Sequence, residues 1–155
     1  MSPDTIIEAL QDPDRGVCVQ AAIALGNIGP RAKEAVPALF EALKDPRVYE
    51  ASMKSLEKIG FDSKDAIPAL IGALHNEALR TYAADRLLSI GPETVPELIR
   101  ALEGEYGPIR EYAAWILGKI GPEARAAIPA LTEALWDKDK RVRGTAQRAL
   151  EDIQR

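Results

Sequence analysis

Leucine recurs along this chain at a nearly constant interval. Leu25, Leu56, Leu87, Leu117 and Leu150 are spaced by 31, 31, 30 and 33 residues, and isoleucine follows each three residues later, at Ile28, Ile59, Ile90, Ile120 and Ile153. Apolar positions three and four apart share one face of a helix. A second apolar block interleaves with the first: VPALFEAL at 36–43, IPALIGAL at 67–74, VPELIRAL at 95–102 and IPALTEAL at 128–135, with a shorter IIEAL at 6–10. An internal period of this length reads as a stack of supersecondary units, here five in-phase pairs of helices. The units run over about 2–29, 30–60, 61–91, 92–121 and 122–155, as one repeat domain over the whole chain.

The punctuation agrees with that division. Gly29, Gly91 and Gly121 stand where a helix ends in a left-handed residue, and Pro30, Pro92 and Pro122 follow, since proline opens a helix but does not continue one. Asp12-Pro13 and Asp45-Pro46 pair an N-capping oxygen with a residue of preset φ, which marks the turn inside a pair. The spacing predicts helices over about 3–11, 14–28, 31–44, 46–59, 63–75, 77–90, 92–103, 107–120, 122–136 and 139–154. Pro37, Pro68, Pro96 and Pro129 then fall inside the first helix of their units and are expected to bend each by a similar amount.

The stripe Val36, Leu39, Phe40, Leu43 and its counterparts Ile67, Leu70, Ile71, Leu74 and Val95, Leu98, Ile99, Leu102 is the expected core. Ala21, Ala22, Ala83, Ala84, Ala113 and Ala114, with Gly26 and Gly118, are small enough to let neighbouring helices approach closely. In the last unit Thr132 and Gln147 stand in columns that are apolar elsewhere, as the outer face of a terminal cap reads.

These residues resemble the HEAT-like repeats typified by the phycobilisome lyase group, whose second helix follows a Val-Arg-x-x-Ala-Ala-x-Ala-Leu-Gly-x-Ile-Gly pattern. The likeness is strong in VCVQAAIALGNIG and IREYAAWILGKIG and weaker in VYEASMKSLEKIG, LRTYAADRLLSIG and VRGTAQRALEDIQ. It implies an all-α fold, a right-handed α-solenoid (superhelix) of five HEAT-like two-helix repeats with the second helices lining a concave side. It further implies that Arg80, Arg110 and Arg143 form a ladder of hydrogen bonds to turn residues such as Asp45, Asn76 and Asp137, a ladder left incomplete where Cys18 and Tyr49 replace the arginine.

Composition narrows the function. A hydrophobic share of 46% with 28% charged residues is ordinary for a folded soluble protein, and 5% aromatics beside abundant Ala and Leu favours close-packed helices over a β core. A net charge of −4 and a pI near 5.1 argue against nucleic acid, whose affinity rests on clustered Lys and Arg. Cys18 is the one cysteine, so no disulfide framework or Cys-rich metal site forms within a single chain. Neither a leader nor an apolar run of about 18 residues is seen, which predicts a cytoplasmic protein without a membrane partner. A single histidine, His75, and the lack of a Gly-rich phosphate loop, a Cys/His ligand spacing or repeated His-Glu pairs predict no enzyme activity, no cofactor and no metal.

Against that background the aromatics of REYAAWILGKIGP stand out. Tyr112 and Trp115 share one helical face, and Tyr82 is the columnar neighbour of Tyr112 on the adjoining second helix, about 10 Å away. Large rings outside a core act as interface anchors. Glu111, Asp85 and Lys119 rim this trio, while Lys54 and Ile23 occupy equivalent columns in earlier units. The expected function is a non-enzymatic protein- or peptide-binding scaffold, monomeric, that uses this groove. The resemblance also allows a bilin lyase-type or accessory subunit that stacks the rings on a tetrapyrrole; an engineered repeat scaffold without a native partner is a further alternative, against which the irregular repeats and the unpaired Cys18 speak. The basic stretch KDKRVRGTAQR at 138–148 reads as a solvated last helix, with a phosphate site as its alternative.

Overall fold

In the computed structural model, which describes residues 2–60 and 64–155, the chain is all-helical among the described residues. The α-helices are α1 (Pro3–Ala9), α2 (Arg15–Ile28), α3 (Val36–Ala42), α4 (Pro46–Ile59), α5 (Ile67–Ala73), α6 (Arg80–Ile90), α7 (Val95–Leu102), α8 (Gly107–Ile120), α9 (Ile128–Ala134) and α10 (Lys140–Gln154). They alternate short and long, one pair per repeat. The expected start of a helix at residue 63 lies outside the described residues.

The prolines play a different part from the one expected of them. Pro37, Pro96 and Pro129 do not bend a continuous helix; each sits in the first turn of a new α-helix that follows a 3-10 segment, Gly29–Ala35, Gly91–Thr94 or Gly121–Ala127. In the first and last of these segments the break is sharpened by Ala32 (φ −96°, ψ 22°) and Ala124 (φ −94°, ψ 19°), which leave helical geometry. A first-turn N–H has no partner inside its own helix, so proline costs nothing there, whereas mid-helix it would remove a bond and clash.

The glycines that open these segments take positive φ, but not the left-handed helical conformation. Gly29, Gly91 and Gly121 have φ of 71°, 81° and 79° with ψ of −144°, −139° and −143°, an extended region open essentially to glycine alone. A Cβ at Gly91 would meet no atom within 4 Å, so the cost of Gly91→Ala is purely torsional. Thermal or urea unfolding of that variant is expected to show a loss of about 1–2 kcal/mol.

Turn chemistry also moves two boundaries. Asp14, not Asp12, caps α2 by accepting the N–H of Gly16 at 2.8 Å, while Asp12 accepts the N–H of Asp14 at 2.8 Å. Asp45 caps α4 as expected, accepting the N–H of Arg47 at 2.9 Å. α6 begins at Arg80 instead of 77, because the Asn76 side chain takes the N–H of Ala78 at 2.9 Å and holds 76–79 as a turn.

Tertiary contacts divide the chain into two compact units, Met1–Ala69 and Leu70–Arg155. In the first, Leu25, Leu39 and Leu56 are fully buried, and α2 lies so close to α4 that a Cβ on Gly26 would fall 2.9 Å from Ser55 Cα. The Ser55 hydroxyl, buried at that crossing, lies 2.6 Å from the Ala22 carbonyl oxygen and 2.8 Å from that of Ala51. The second unit repeats the device: Gly118 of α8 faces Ala149 of α10, and Leu70, Leu74, Leu79, Leu87, Leu98, Ile116, Leu117, Leu131 and Ile153 form its core. Ile71 and Ile99 of the expected stripe are only half-buried, and Thr132 and Gln147 are exposed.

Candidate partner-binding groove on the second unit

The arginine column sets the spacing of the helices that carry the groove. Arg110, in the first turn of α8, donates from Nε to Asp137 Oδ2 at 2.8 Å and from Nη2 to Asp137 Oδ1 at 3.1 Å. Its Nη1 donates to the carbonyl oxygens of Gly104 at 3.0 Å and Glu105 at 2.8 Å. The pair is sequestered, the two side chains being 6% and 12% exposed. Burial pushes the Asp137 carboxyl up, but the Arg110 hydrogen bonds and the Asp139 N–H outweigh it and hold the group below the ordinary carboxylate range. One side chain thereby ties α8 to the turn that leads into α10.

The same column is satisfied elsewhere by other means. Arg80 donates to the carbonyl of Leu74 at 2.9 Å and Arg143 to that of Asp137 at 2.6 Å, in each case six residues earlier, as with Arg110 and Gly104. Cys18, expected to leave a gap, places its thiol 3.1 Å from the equivalent carbonyl of Asp12. Arg15 then supplies the ion pair to the next repeat, 2.8 Å from Asp45. Asn76 is not an acceptor for Arg80; its amide oxygen is spent on the turn.

Between α6, α8 and α10, Thr81, Ala84, Asp85, Glu111, Tyr112, Trp115, Thr145 and Arg148 line a cavity of about 340 Å³. Trp115 is 39% exposed and meets Tyr112 edge-on, with ring centroids 6.3 Å apart. Tyr112 is half-buried and carries the Arg80 guanidinium 5.5 Å from its centroid, so the arginine that closes the α5–α6 turn also backs this ring. The Lys119 ammonium lies 5.7 Å from the Trp115 centroid. A smaller cavity of about 140 Å³ continues along α8 and α10, lined by Trp115, Gly118, Lys119, Thr145, Arg148, Ala149 and Asp152.

Of the residues singled out in the sequence, the structure thus brings together Tyr112, Trp115, Asp85 and Glu111, with Lys119 beside the indole. Tyr82 lies outside the lining of both cavities; it is half-buried and packs under the Arg86 guanidinium at 5.6 Å. Two of the three rings, Tyr112 and Trp115, line the larger cavity. Ile23 and Lys54 belong to the first unit, where Ile23 is exposed on α2. Lys54 is engaged on α4 with Glu50 at 2.8 Å, a hydrogen-bonded pair that lowers the Glu50 carboxyl and raises the Lys54 ammonium from their usual values.

Thr145 and Arg148, which share the columns of Tyr112 and Trp115 and lie in the basic stretch 138–148, were not among the expected site residues, and the larger cavity places them beside the indole. A further residue escaped the sequence reading altogether. Trp136, in the turn after α9, is 87% exposed. Its signal was present: Gln11, Lys44, His75 and Glu103 hold that turn column in the other units, so a tryptophan there is out of place.

Stacked helix pairs of this kind define the α-solenoid class. The chain belongs to the HEAT repeats, which it matches over residues 3–88 and again over 75–151. Among curated proteins there is no match. Among solved structures, it is similar to an engineered protein at 22% identity, over 99% of this chain and 80% of that one, with a TM-score of 0.46. It is also similar to the CpcE–CpcF complex of phycocyanin lyase from Nostoc sp. PCC7120, at 26% identity, over 99% of this chain and 65% of that one, with a TM-score of 0.47. A designed armadillo repeat protein in complex with the peptide (KR)4 is a third, at 18% identity, 96% and 80% coverage and a TM-score of 0.45. Among the described residues no helix is long and apolar enough to cross a membrane, and no cluster of three His, Cys, Asp or Glu could hold a metal ion.

Proposed function

We propose that this HEAT-repeat chain is a non-enzymatic binding module whose second unit holds a peptide or an extended protein segment against α6, α8 and α10. The observation that carries this reading is Trp115. An indole 39% exposed at the junction of two cavities offers a large, stiff apolar surface whose burial costs little entropy. Glu111, Asp85, Lys119 and Arg148 around it form a polar rim of the kind that surrounds such anchors. The scaffold that presents the ring is held from behind, by the Arg110–Asp137 pair and the Gly118–Ala149 crossing, so the surface is largely preorganised.

The test is selection from a displayed random-peptide library on immobilised protein, followed by affinity measurements on the enriched peptides. Trp115→Ala is expected to weaken them roughly thirty-fold or more, the equivalent of about 2 kcal/mol for an anchor residue. The same variant is expected to lose about 2–3 kcal/mol of stability, less than a fully buried tryptophan would, since part of the ring is already in water. Unchanged binding accompanied by a collapse in stability would reassign Trp115 to packing.

A further inference from the structure

Charge is distributed unevenly about Trp115. On the side of the larger cavity stand Asp85 from α6 and Glu111 from α8, whose carboxylates have neither an ion pair nor a hydrogen bond among the described residues. On the side of the smaller one stand Lys119 from α8 and Arg148 from α10; Asp152, the acidic residue there, is already 3.8 Å from Arg155. Arg148 lines both cavities and also lacks an ion-pair partner among the described residues. Elsewhere in the same unit exposed charges do find partners, as in Arg100–Glu97 at 2.7 Å and Arg141–Asp139 at 3.6 Å. The groove is therefore unevenly charged: two carboxylates against Arg148 line the larger cavity, Lys119 and Arg148 against Asp152 line the smaller, and the indole lines both.

We infer that the occupant is an extended peptide carrying one basic and one acidic side chain on the same side of the strand, the basic one set between Asp85 and Glu111 and the acidic one toward Lys119 and Arg148. This rests on the peptide-binding reading above and specifies its ligand. A lysine or arginine suits the side of Asp85 and Glu111 on two counts. Its charge meets two carboxylates that have no partner, and its aliphatic stem or guanidinium plane packs on an aromatic face, as Lys119 already does on the other part of this ring. Same-side residues in an extended chain are two apart, about 7 Å along the strand, which lets both charges reach past a single indole. Two sides of opposite charge balance also set the direction of the peptide and disfavour uniformly basic or acidic segments, because each would place a like charge on one side.

The probe is the acetylated, amidated heptapeptide Gly-Ser-Arg-Leu-Glu-Ser-Gly, titrated into nitrogen-15-labelled protein, with the indole N–H resonances of Trp115 and Trp136 as reporters. A saturable shift at Trp115 with Trp136 unmoved is expected. Binding should weaken at least tenfold for the same peptide with Gln-Leu-Gln at its centre, and at least tenfold in the Asp85→Asn, Glu111→Gln protein. If the uncharged peptide moves Trp115 with equal affinity, or the double variant binds the charged one as well as wild type, the charge assignment is wrong while the peptide-binding reading stands. If neither peptide moves Trp115 and library selection also returns nothing that depends on it, both fall together.

Discussion

Arg110→Ala is expected to cost about 3–5 kcal/mol of unfolding free energy, among the largest single-residue losses in the second unit. The reason is not the strength of the pair but what its removal leaves behind. Asp137, with 12% of its side chain exposed, would keep a carboxylate that has lost both guanidinium bonds, and the carbonyls of Gly104 and Glu105 would lose their donor at the same stroke. Arg110→Lys should restore the charge but not the two-pronged geometry, and so recover only part of the loss. Acid provides a second readout. The folded-state Asp137 carboxyl lies below its ordinary value, so its contribution is complete above about pH 4 and disappears as the pH falls through the lowered value. Unfolding curves at pH 7 and near pH 3 should therefore differ more for wild type than for the Arg110→Ala, Asp137→Ala double variant. A loss below about 1 kcal/mol for Arg110→Ala at pH 7 would show the pair to be screened like a surface one.

A paired glycine experiment probes the α8–α10 crossing by sign as well as size. Alanine in place of glycine inside a helix is worth about 0.5–1 kcal/mol in stability when nothing obstructs it. Gly144→Ala, where a Cβ would meet no atom within 4 Å, should show that gain. Gly118→Ala should instead lose about 1–3 kcal/mol, because its Cβ would fall 2.9 Å from Ala149 Cα and 3.1 Å from Ala149 Cβ. Neither contact is a flexible side-chain end, so relief requires the helices to separate. Trp115 and Arg148 stand on those same helices, and peptides selected on the wild-type groove should bind Gly118→Ala more weakly even at temperatures where it remains folded. Equal stability changes for the two glycines would remove the close approach from the account of the groove.

The wet part of the groove was legible in part. Tyr112, Trp115, Asp85 and Glu111 were recoverable because helical periodicity puts them in shared columns, and a column that is neither apolar nor small points away from the core. Periodicity does not say how far a ring leans over its neighbours. Tyr82 shares a column with Tyr112, yet one lies under Arg86 outside the cavity and the other lies between Arg80 and Trp115 within it. Arg15 is a similar case: nothing in its position within the pattern marks it as the partner of Asp45, which a neighbouring repeat supplies.

What the amino-acid order determined alone is decided within a few residues: the helical period of Leu and Ile, the positive φ of Gly29, Gly91 and Gly121 at the ends of second helices, and the Asp45 cap that opens α4. These depend on local torsions and i to i+4 neighbours, which a linear string contains in full. What only the tertiary structure decided is which small residue meets which backbone, as Gly118 meets Ala149, which donor closes each rung of the arginine column, and which charges at Trp115 remain without a partner. Those outcomes depend on distances between helices some thirty residues apart, set by the summed packing of every layer, and no short stretch of the chain holds that sum.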